Sequence, residues 1–332
     1  MRKIKFCSEN KINLIKIFLK KNWPTKINIF NNRNLINWMY YDSKLKKYLF
    51  LISEKNNKIK SCLGILKNNF TQKKIFWLSF WLSSSDRKSL SGLDLLYFLM
   101  KKKKNHVVAA NGIDLKSIFI YKFLGFNTIN LNHYYLVNLN KKKFQLIKIK
   151  NQKKIMSQKN SLNIEISDNL IFLKNNKYLQ KFEKDFYKNY YYFKKKYYDH
   201  PIYNYKFYKI TCRNKIYGFF VGRVCIHNGN TALRFVEYFG SLNILGKIKY
   251  NLLELIKNSE HEYIDFYNFG IKRNLVKKTG FSINKFKSDV IIPNYFEPFV
   301  KANITICSVF WPRKTKMIIF KGDGDQDRPN LI

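Results

Sequence analysis

One order of elements, run through twice, limits what this chain can fold into. Residues 74–83 form an apolar, aromatic-rich strand that opens through a short polar loop into a helix pattern at 92–100. A strand at 106–110 and a helix at 115–124 follow. Residues 231–239, 246–257, 263–267 and 272–279 give strand, helix, strand and helix again, and both series end on Gly-Phe, at Gly125-Phe126 and Gly280-Phe281. Each series is preceded by short apolar runs that suit an antiparallel meander. In the first half these are 49–53 and 58–67, joined by the turn pair Asn56-Asn57; in the second they are 207–212 and 217–226. Helices are expected at 10–22 and 177–189, and a strand closing the first half at 134–139. This order implies an α/β (α+β) chain of two similar domains in tandem, each a mixed twisted sheet flanked by helices.

The 332 residues suit two domains of about 150 residues, each able to bury a core. Residues 145–170 are rich in Gln, Lys, Asn and Ser and read as a linker or a loose first segment of the second half, which places the boundary near residue 150. The expected division is 1–150, 151–320 and an acidic tail, 321–332. A net charge of +42 normally points to nucleic acid or an anionic membrane. Only nine of the 63 basic residues are arginine, however, and the abundance of Lys, Asn, Ile, Phe and Tyr marks an AT-rich coding sequence. Base and phosphate recognition leans on the planar arginine fork, so the lysine runs at 101–104, 141–143 and 194–196 read as solvated loops and helix ends. Nucleic acid is not the expected partner. Five cysteines without metal-ligand spacing indicate neither a disulfide framework nor a zinc site and fit a reducing cytoplasm. No run approaches the roughly 18 apolar residues of a membrane span.

The loop after the strand at 74–83 reads Ser84-Ser85-Asp86-Arg87-Lys88-Ser89-Leu90-Ser91-Gly92. A small, polar loop entering a helix gathers backbone N–H groups and the positive helix end at one point, which suits a pyrophosphate. It resembles the acetyl-CoA loop of the GNAT-type N-acyltransferases, whose pattern is Arg or Gln, two residues, Gly, one residue, then Gly or Ala. Arg87 takes the first place, Leu90 the middle glycine's place and Gly92 the last. The run from Asp114 through Tyr121 to Gly125-Phe126 resembles a second segment of that superfamily, in which a polar residue, usually asparagine, starts a helix and a tyrosine follows seven residues later. The resemblance implies acyl-CoA binding by Arg87, Lys88, Ser89, Ser91, Gly92 and Asp114, and makes Tyr121 the general acid that protonates the departing thiolate. No general base stands out; neither His106 nor Asp86 is assigned the role.

In the second half the loop 240–246 lacks the basic residue, and Val276 stands in the tyrosine's place, so no CoA site is expected there. Arg234, Glu237 and Tyr238 on one expected strand, and Asp265 and Tyr267 on the next, form either a structural network or a ligand pocket. His200-Pro201 reads as a turn or a pocket wall. The end of the chain carries Asp323, Asp325, Asp327 and Arg328, but without the glycine and final glutamate of a calcium loop, so no metal is assigned. Arg234, Glu237, Asp265, Tyr267, Asp325, Asp327 and Arg328 are therefore the candidate acceptor-binding residues.

Tandem folds of this kind occur in Fem-type aminoacyltransferases and in acyltransferases associated with surface polysaccharide assembly. The similarity implies a cytoplasmic, acyl-CoA-dependent N-acyltransferase, with acetyl-CoA as donor and an amine of a sugar or cell-envelope precursor as acceptor. The alternatives are a non-catalytic scaffold and a Fem-type transferase that uses aminoacyl-tRNA.

Overall fold

A computed structural model describes residues 3–23, 29–69, 74–84, 91–101, 106–149, 157–285 and 289–330. The strands are β1 (Lys3–Ser8), β2 (Tyr41–Asp42), β3 (Lys47–Lys55), β4 (Lys58–Asn69), β5 (Lys74–Ser83), β6 (His106–Asn111), β7 (Asn127–Asn130), β8 (Asn132–Val137) and β9 (Asn163–Ser167). They continue with β10 (Lys206–Cys212), β11 (Lys215–His227), β12 (Asn230–Gly240), β13 (His261–Phe269), β14 (Ser282–Ile283), β15 (Tyr295–Phe296), β16 (Phe299–Val300), β17 (Cys307–Trp311) and β18 (Ile319–Phe320). The α-helices are α1 (Ile12–Asn22), α2 (Arg33–Tyr40), α3 (Ser91–Lys101), α4 (Ile118–Phe123), α5 (Ile171–Lys174), α6 (Lys177–Gln180), α7 (Glu183–Phe186), α8 (Tyr190–Phe193), α9 (Leu242–Leu245), α10 (Lys249–Lys257) and α11 (Arg273–Lys278). Among the described residues no helix is long and apolar enough to cross a membrane.

The first sheet runs β1-β3-β4-β5-β6-β17-β7. Its strand β3 is buried on both faces, and alternation sorts its side chains cleanly. Tyr48, Phe50 and Ile52 meet α1 and α2 through Ile15, Leu19, Leu35 and Ile36, while Leu49 and Leu51 join Leu95, Leu96 and Leu99 of α3. Each such side chain adds roughly 1.5–3 kcal/mol by leaving water, and Phe50→Ala would cost about 3–5 kcal/mol. Asn56 and Asn57, at φ 50° and 56°, make the tight β3–β4 turn. Asparagine tolerates the left-handed backbone that two-residue hairpins demand.

The second sheet runs β14-β8-β13-β12-β11-β10-β9, with β18 on β13. Its core packs Phe219, Phe239 and Phe193 on one another, and Phe220, Phe235 and Phe266 likewise. Arg213-Asn214 and Asn228-Gly229, all at positive φ, close the β10–β11 and β11–β12 hairpins.

Two expectations about organisation are corrected. The strand expected to close the first half, at 134–139, is β8, and it lies between β13 and β14 in the second sheet, paired from Tyr263↔Val137 to Asn268↔Asn132. The matching place in the first sheet, between β6 and β7, is filled by β17 from near the end of the chain. The compact units are thus Met1–Thr128 with Ser308–Thr315 and Gly324–Ile332, and Ile129–Cys307 with Lys316–Asp323, rather than halves meeting near 150. Alternation marks a strand but not its partner, so the sequence could not show this exchange. Of the two readings of 145–170, the described residues fit a first segment of the second unit: β9 pairs with β10, and Glu262 accepts from the amides of Gln145 and Leu146 at 2.8 and 2.9 Å. The helix expected at 177–189 is broken into α6 and α7, with Tyr187 at φ 54° ending the second.

Candidate functional site

In the first unit β5 and β6 pair in parallel from Lys74↔His106 to Leu78↔Ala110. Beyond that the ladder stops while β5 runs on to Ser83, because a bulge opposite Cys62 and Gly64 of β4 re-aims it. Phe80 takes φ 46° there, a strained value for a ring-bearing residue. The two strand ends therefore splay. Beside the splay α3 starts tight against the sheet: Ser61 Oγ donates to Ser91 O at 2.8 Å and Trp81 Nε1 to Gly92 O at 3.0 Å. A Cβ on Gly92 would overlap Ser83 Oγ, so a larger residue there would require the Ser83 side chain to turn away.

The expected donor residues are placed unevenly. Arg87, Lys88, Ser89, Leu90 and Asp86 lie outside the described residues. The Ser91 side chain is turned inward, donating to Lys60 O at 3.5 Å, and Asp114 is an exposed helix cap whose carboxylate accepts from the Lys116 amide at 3.0 Å. Tyr121 is 3% exposed and packs on Trp81 and Phe126 at 5.3 and 5.1 Å between ring centres. Burial pushes its hydroxyl well above the ordinary range, which keeps it protonated. His106 sits at the far end of β6, opposite Lys74 and between the Phe76 and Trp311 rings, so it does not reach the splay.

On the face of β5 that packs against α1 and α2, Tyr40 and Ser79 share a hydroxyl hydrogen bond of 3.0 Å beside Phe80. Residues 324–330 lie on this face. Gly324 abuts Trp77 and Asn111, Gln326 abuts Gly112, and the Arg328 guanidinium lies 4.6 Å over the Phe80 ring while pairing with Asp325. Asp327 is half-buried on the same segment. Burial, then the Asp325 charge, raise the Tyr40 hydroxyl, with Arg328 opposing. The acidic tail expected at 321–332 is therefore not a surface tail, for Lys321 and Asp323 are buried in the second unit.

The second unit builds the same splay and fills it. β12 and β13 pair in parallel from Thr231↔His261 to Phe235↔Phe266, and a bulge opposite Val221 and Gly222 then separates them. Into the gap comes the segment 319–323: β18 pairs with β13 at Asn268↔Phe320, and the Gly322 amide donates to Val236 O at 2.8 Å. Lys188, Glu237 and Asp323, each no more than 2% exposed, lock it in place. Lys188 pairs with Glu237 and lies 2.9 Å from Asp323; the Tyr192 hydroxyl donates to Glu237 at 3.0 Å, as does that of Tyr197. Where the first unit has its polar loop, the short α9 follows Ser241, whose carbonyl accepts from the Tyr238 hydroxyl at 2.6 Å. Val276 is buried where α4 has Tyr121.

Arg234 and Asp265 form a closed structural network. The guanidinium donates to Asp265 at 2.8 and 3.0 Å and to the carbonyls of Asn294 and Pro293 at 2.8 and 3.1 Å. Tyr267 stacks on His133 at 3.8 Å, and its hydroxyl has no hydrogen-bond partner among the described residues. His200 is a turn residue, its Nδ1 accepting from the amides of Ile202 and Tyr203. The seven expected acceptor residues thus divide: Asp325, Asp327 and Arg328 belong to the first unit, Arg234, Glu237, Asp265 and Tyr267 to the second. Among the described residues no group of three or more His, Cys, Asp or Glu is arranged to hold a metal ion.

No family model and no curated protein matches the sequence. Solved structures do match. A GCN5-related N-acetyltransferase from Anabaena variabilis superposes with a TM-score of 0.58 at 10% identity, covering 93% of this chain and 72% of that one. This chain has the GNAT fold, built twice. A GCN5-related N-acetyltransferase from Kribbella flavida (TM-score 0.51, 7% identity, 93% and 70% covered) and the N-myristoyltransferase of Saccharomyces cerevisiae with bound myristoyl-CoA (0.50, 10%, 99% and 89%) agree. At such identities the likeness establishes the fold alone.

In the GNAT fold of the first unit, the residues that sequence reasoning missed are Trp77, Ser79, Phe80 and Tyr40, which surround the bulge. An aromatic-rich strand gave no signal of a bulge, and nothing tied Tyr40 to a strand so far along the chain. Lys188 was missed in the second unit for the same reason, since its partners lie 49 and 135 positions away.

Proposed function

We propose that the chain is an acyl-CoA-dependent N-acyltransferase that takes acetyl-CoA as donor and reacts it in the first unit. The contrast between the two splays carries this reading. Among the described residues no strand enters the first splay, which is bordered by α3 with Gly92 in its first turn, whereas 319–323 fill the second. A pyrophosphate would be bound by Arg87, Lys88 and Ser89 together with the N-terminal turn of α3, drawn by that turn's backbone N–H groups and by the strongly positive chain. The thioester arm would lie along β5, with a backbone N–H polarising its carbonyl.

The acceptor amine attacks the thioester carbon, forming the C–N bond as the C–S bond breaks. Of the two protons an ammonium acceptor loses, one goes to water before attack. The other ends on the sulfur through Tyr121, whose hydroxyl is held protonated by burial. The acceptor is an amine of a sugar or similar cell-envelope precursor. The setting is the cytoplasm, which the five unbridged cysteines suit.

Calorimetric titration of acetyl-CoA and myristoyl-CoA into the wild type and Gly92→Glu tests the donor assignment. Micromolar binding at one site per chain, abolished by the added bulk and negative charge, is expected. Silence from both donors with a folded wild type would refute it and leave a scaffold or an aminoacyl-tRNA-dependent transferase.

A further inference from the structure

We infer that Asp325 receives the acceptor, its carboxylate binding a primary ammonium group on the face of β5 that carries α1 and α2, so that cationic amines are the acceptor class. The inference rests on the transferase reading above and names the acceptor chemistry of that same site.

Asp325 lies at the bulge of β5, on the segment that abuts Trp77, Asn111 and Gly112, and close enough to Tyr40 to perturb its hydroxyl. Three other described carboxylates of this unit are engaged elsewhere. Glu54 holds Lys5 and Lys11, Asp42 holds Lys67 and two turn amides, and Asp114 caps a helix. Asp325 is also reachable, its side chain 13% exposed. Its partner Arg328 has two other anchors, the Phe80 ring at 4.6 Å and Asn330 Oδ1 at 3.3 Å. The guanidinium holds Asp325 through Oδ2, so Oδ1 of the same carboxylate can accept from a ligand ammonium while the ion pair stays intact and no charge is stranded.

Two further observations fit. A chain of net charge +42 repels an approaching cation, so a cationic acceptor needs a local carboxylate where the reaction occurs. On the same strand Trp77 Nε1 is buried without a partner among the described residues, a donor left over for an oxygen of a bound molecule.

The test follows thiol release from acetyl-CoA with two cationic amines, spermidine and glucosamine, and with hydroxylamine, a nucleophile uncharged at neutral pH. The readout is the ratio of kcat/KM for the cationic amines to that for hydroxylamine. Asp325→Asn should lower this ratio about tenfold or more, chiefly through KM, because a charge-assisted hydrogen bond is lost. Asp325→Glu, which keeps the charge, should retain most of it, and calorimetry should show donor affinity unchanged in both. A ratio unmoved by Asp325→Asn, with donor binding intact, overturns the inference and leaves the transferase standing. Donor binding with no release by either cationic amine in the wild type overturns it too. A wild type that binds no donor refutes the transferase reading itself, which separates that failure from this one.

Discussion

Lys188→Met should destabilise the second unit by an amount that its buried charges fix. Lys188 is the cation between Glu237 and Asp323, all three no more than 2% exposed, so removing Nζ leaves two carboxylates facing each other. Burial already raises the Glu237 carboxyl; Lys188 pulls it back and Asp323 pushes it up again, leaving it above its ordinary value. Without the cation one carboxylate must take up a proton. Protonating a glutamate of ordinary value near 4.3 at pH 7 costs about 3–4 kcal/mol, within the range for breaking one partner out of a buried pair. The cost shrinks by about 1.4 kcal/mol per pH unit, to about 1 kcal/mol at pH 5.

The sign follows from linkage: a carboxyl whose folded value is raised is stabilising while protonated, and that contribution is lost as pH rises. Urea unfolding followed by far-UV circular dichroism at pH 7 and pH 5 measures both numbers. The five tryptophans, Trp23, Trp38, Trp77, Trp81 and Trp311, all lie in the first unit, so their fluorescence serves as an internal control. A loss below about 1 kcal/mol at pH 7, or one that does not shrink at pH 5, would refute the picture of a dry, charge-locked network.

Asp265 predicts the opposite pH dependence. Burial pushes its carboxyl up, but the Arg234 charge outweighs it and settles the group at about 2. Its contribution, roughly 2–3 kcal/mol, is present above about pH 4 and lost as pH falls towards 2; acid titration of wild type against Asp265→Asn should show wild-type stability falling more steeply there. Tyr121→Phe should lower kcat about 100-fold with donor affinity unchanged, as stopped-flow turnover and calorimetry would show, and an unchanged kcat would free Tyr121 from the acid role. Gly322→Val should displace 319–323, because a Cβ there overlaps the Tyr197 hydroxyl and meets Val236 O at 2.9 Å. Faster amide exchange at residues 319–323 checks it, and unaltered exchange would count against a tight fit.

Much of the fold was legible because local chemistry and periodicity carry it. The Asn56-Asn57 turn, the strand–helix orders and the two Gly-Phe closures all stand where the pattern put them, with Gly125 and Gly280 at φ 78° and 89° ending their helices. Strand partners were not legible. β8 is buried on both faces, with Tyr134 and Leu136 entering one core and Tyr135 and Val137 another, and nothing in so uniformly apolar a run says which sheet it joins. The site was legible in proportion to how local it is. Gly92 was marked by the loop it ends, whereas the charged residues of the central strands stayed ambiguous until their distant partners were known.

Those partners also distinguish the two copies of the fold. A splay between parallel strands leaves backbone groups unpaired, and something must satisfy them. In the second unit the chain does so itself, with the Gly322 amide on Val236 O and a buried ion network holding the segment in place. Once 319–323 have filled one splay, the residues that follow, 324–330, bring Asp325 and Arg328 to the bulge of the other sheet. One stretch of chain thus closes the second splay and places the Asp325–Arg328 ion pair at the bulge of β5.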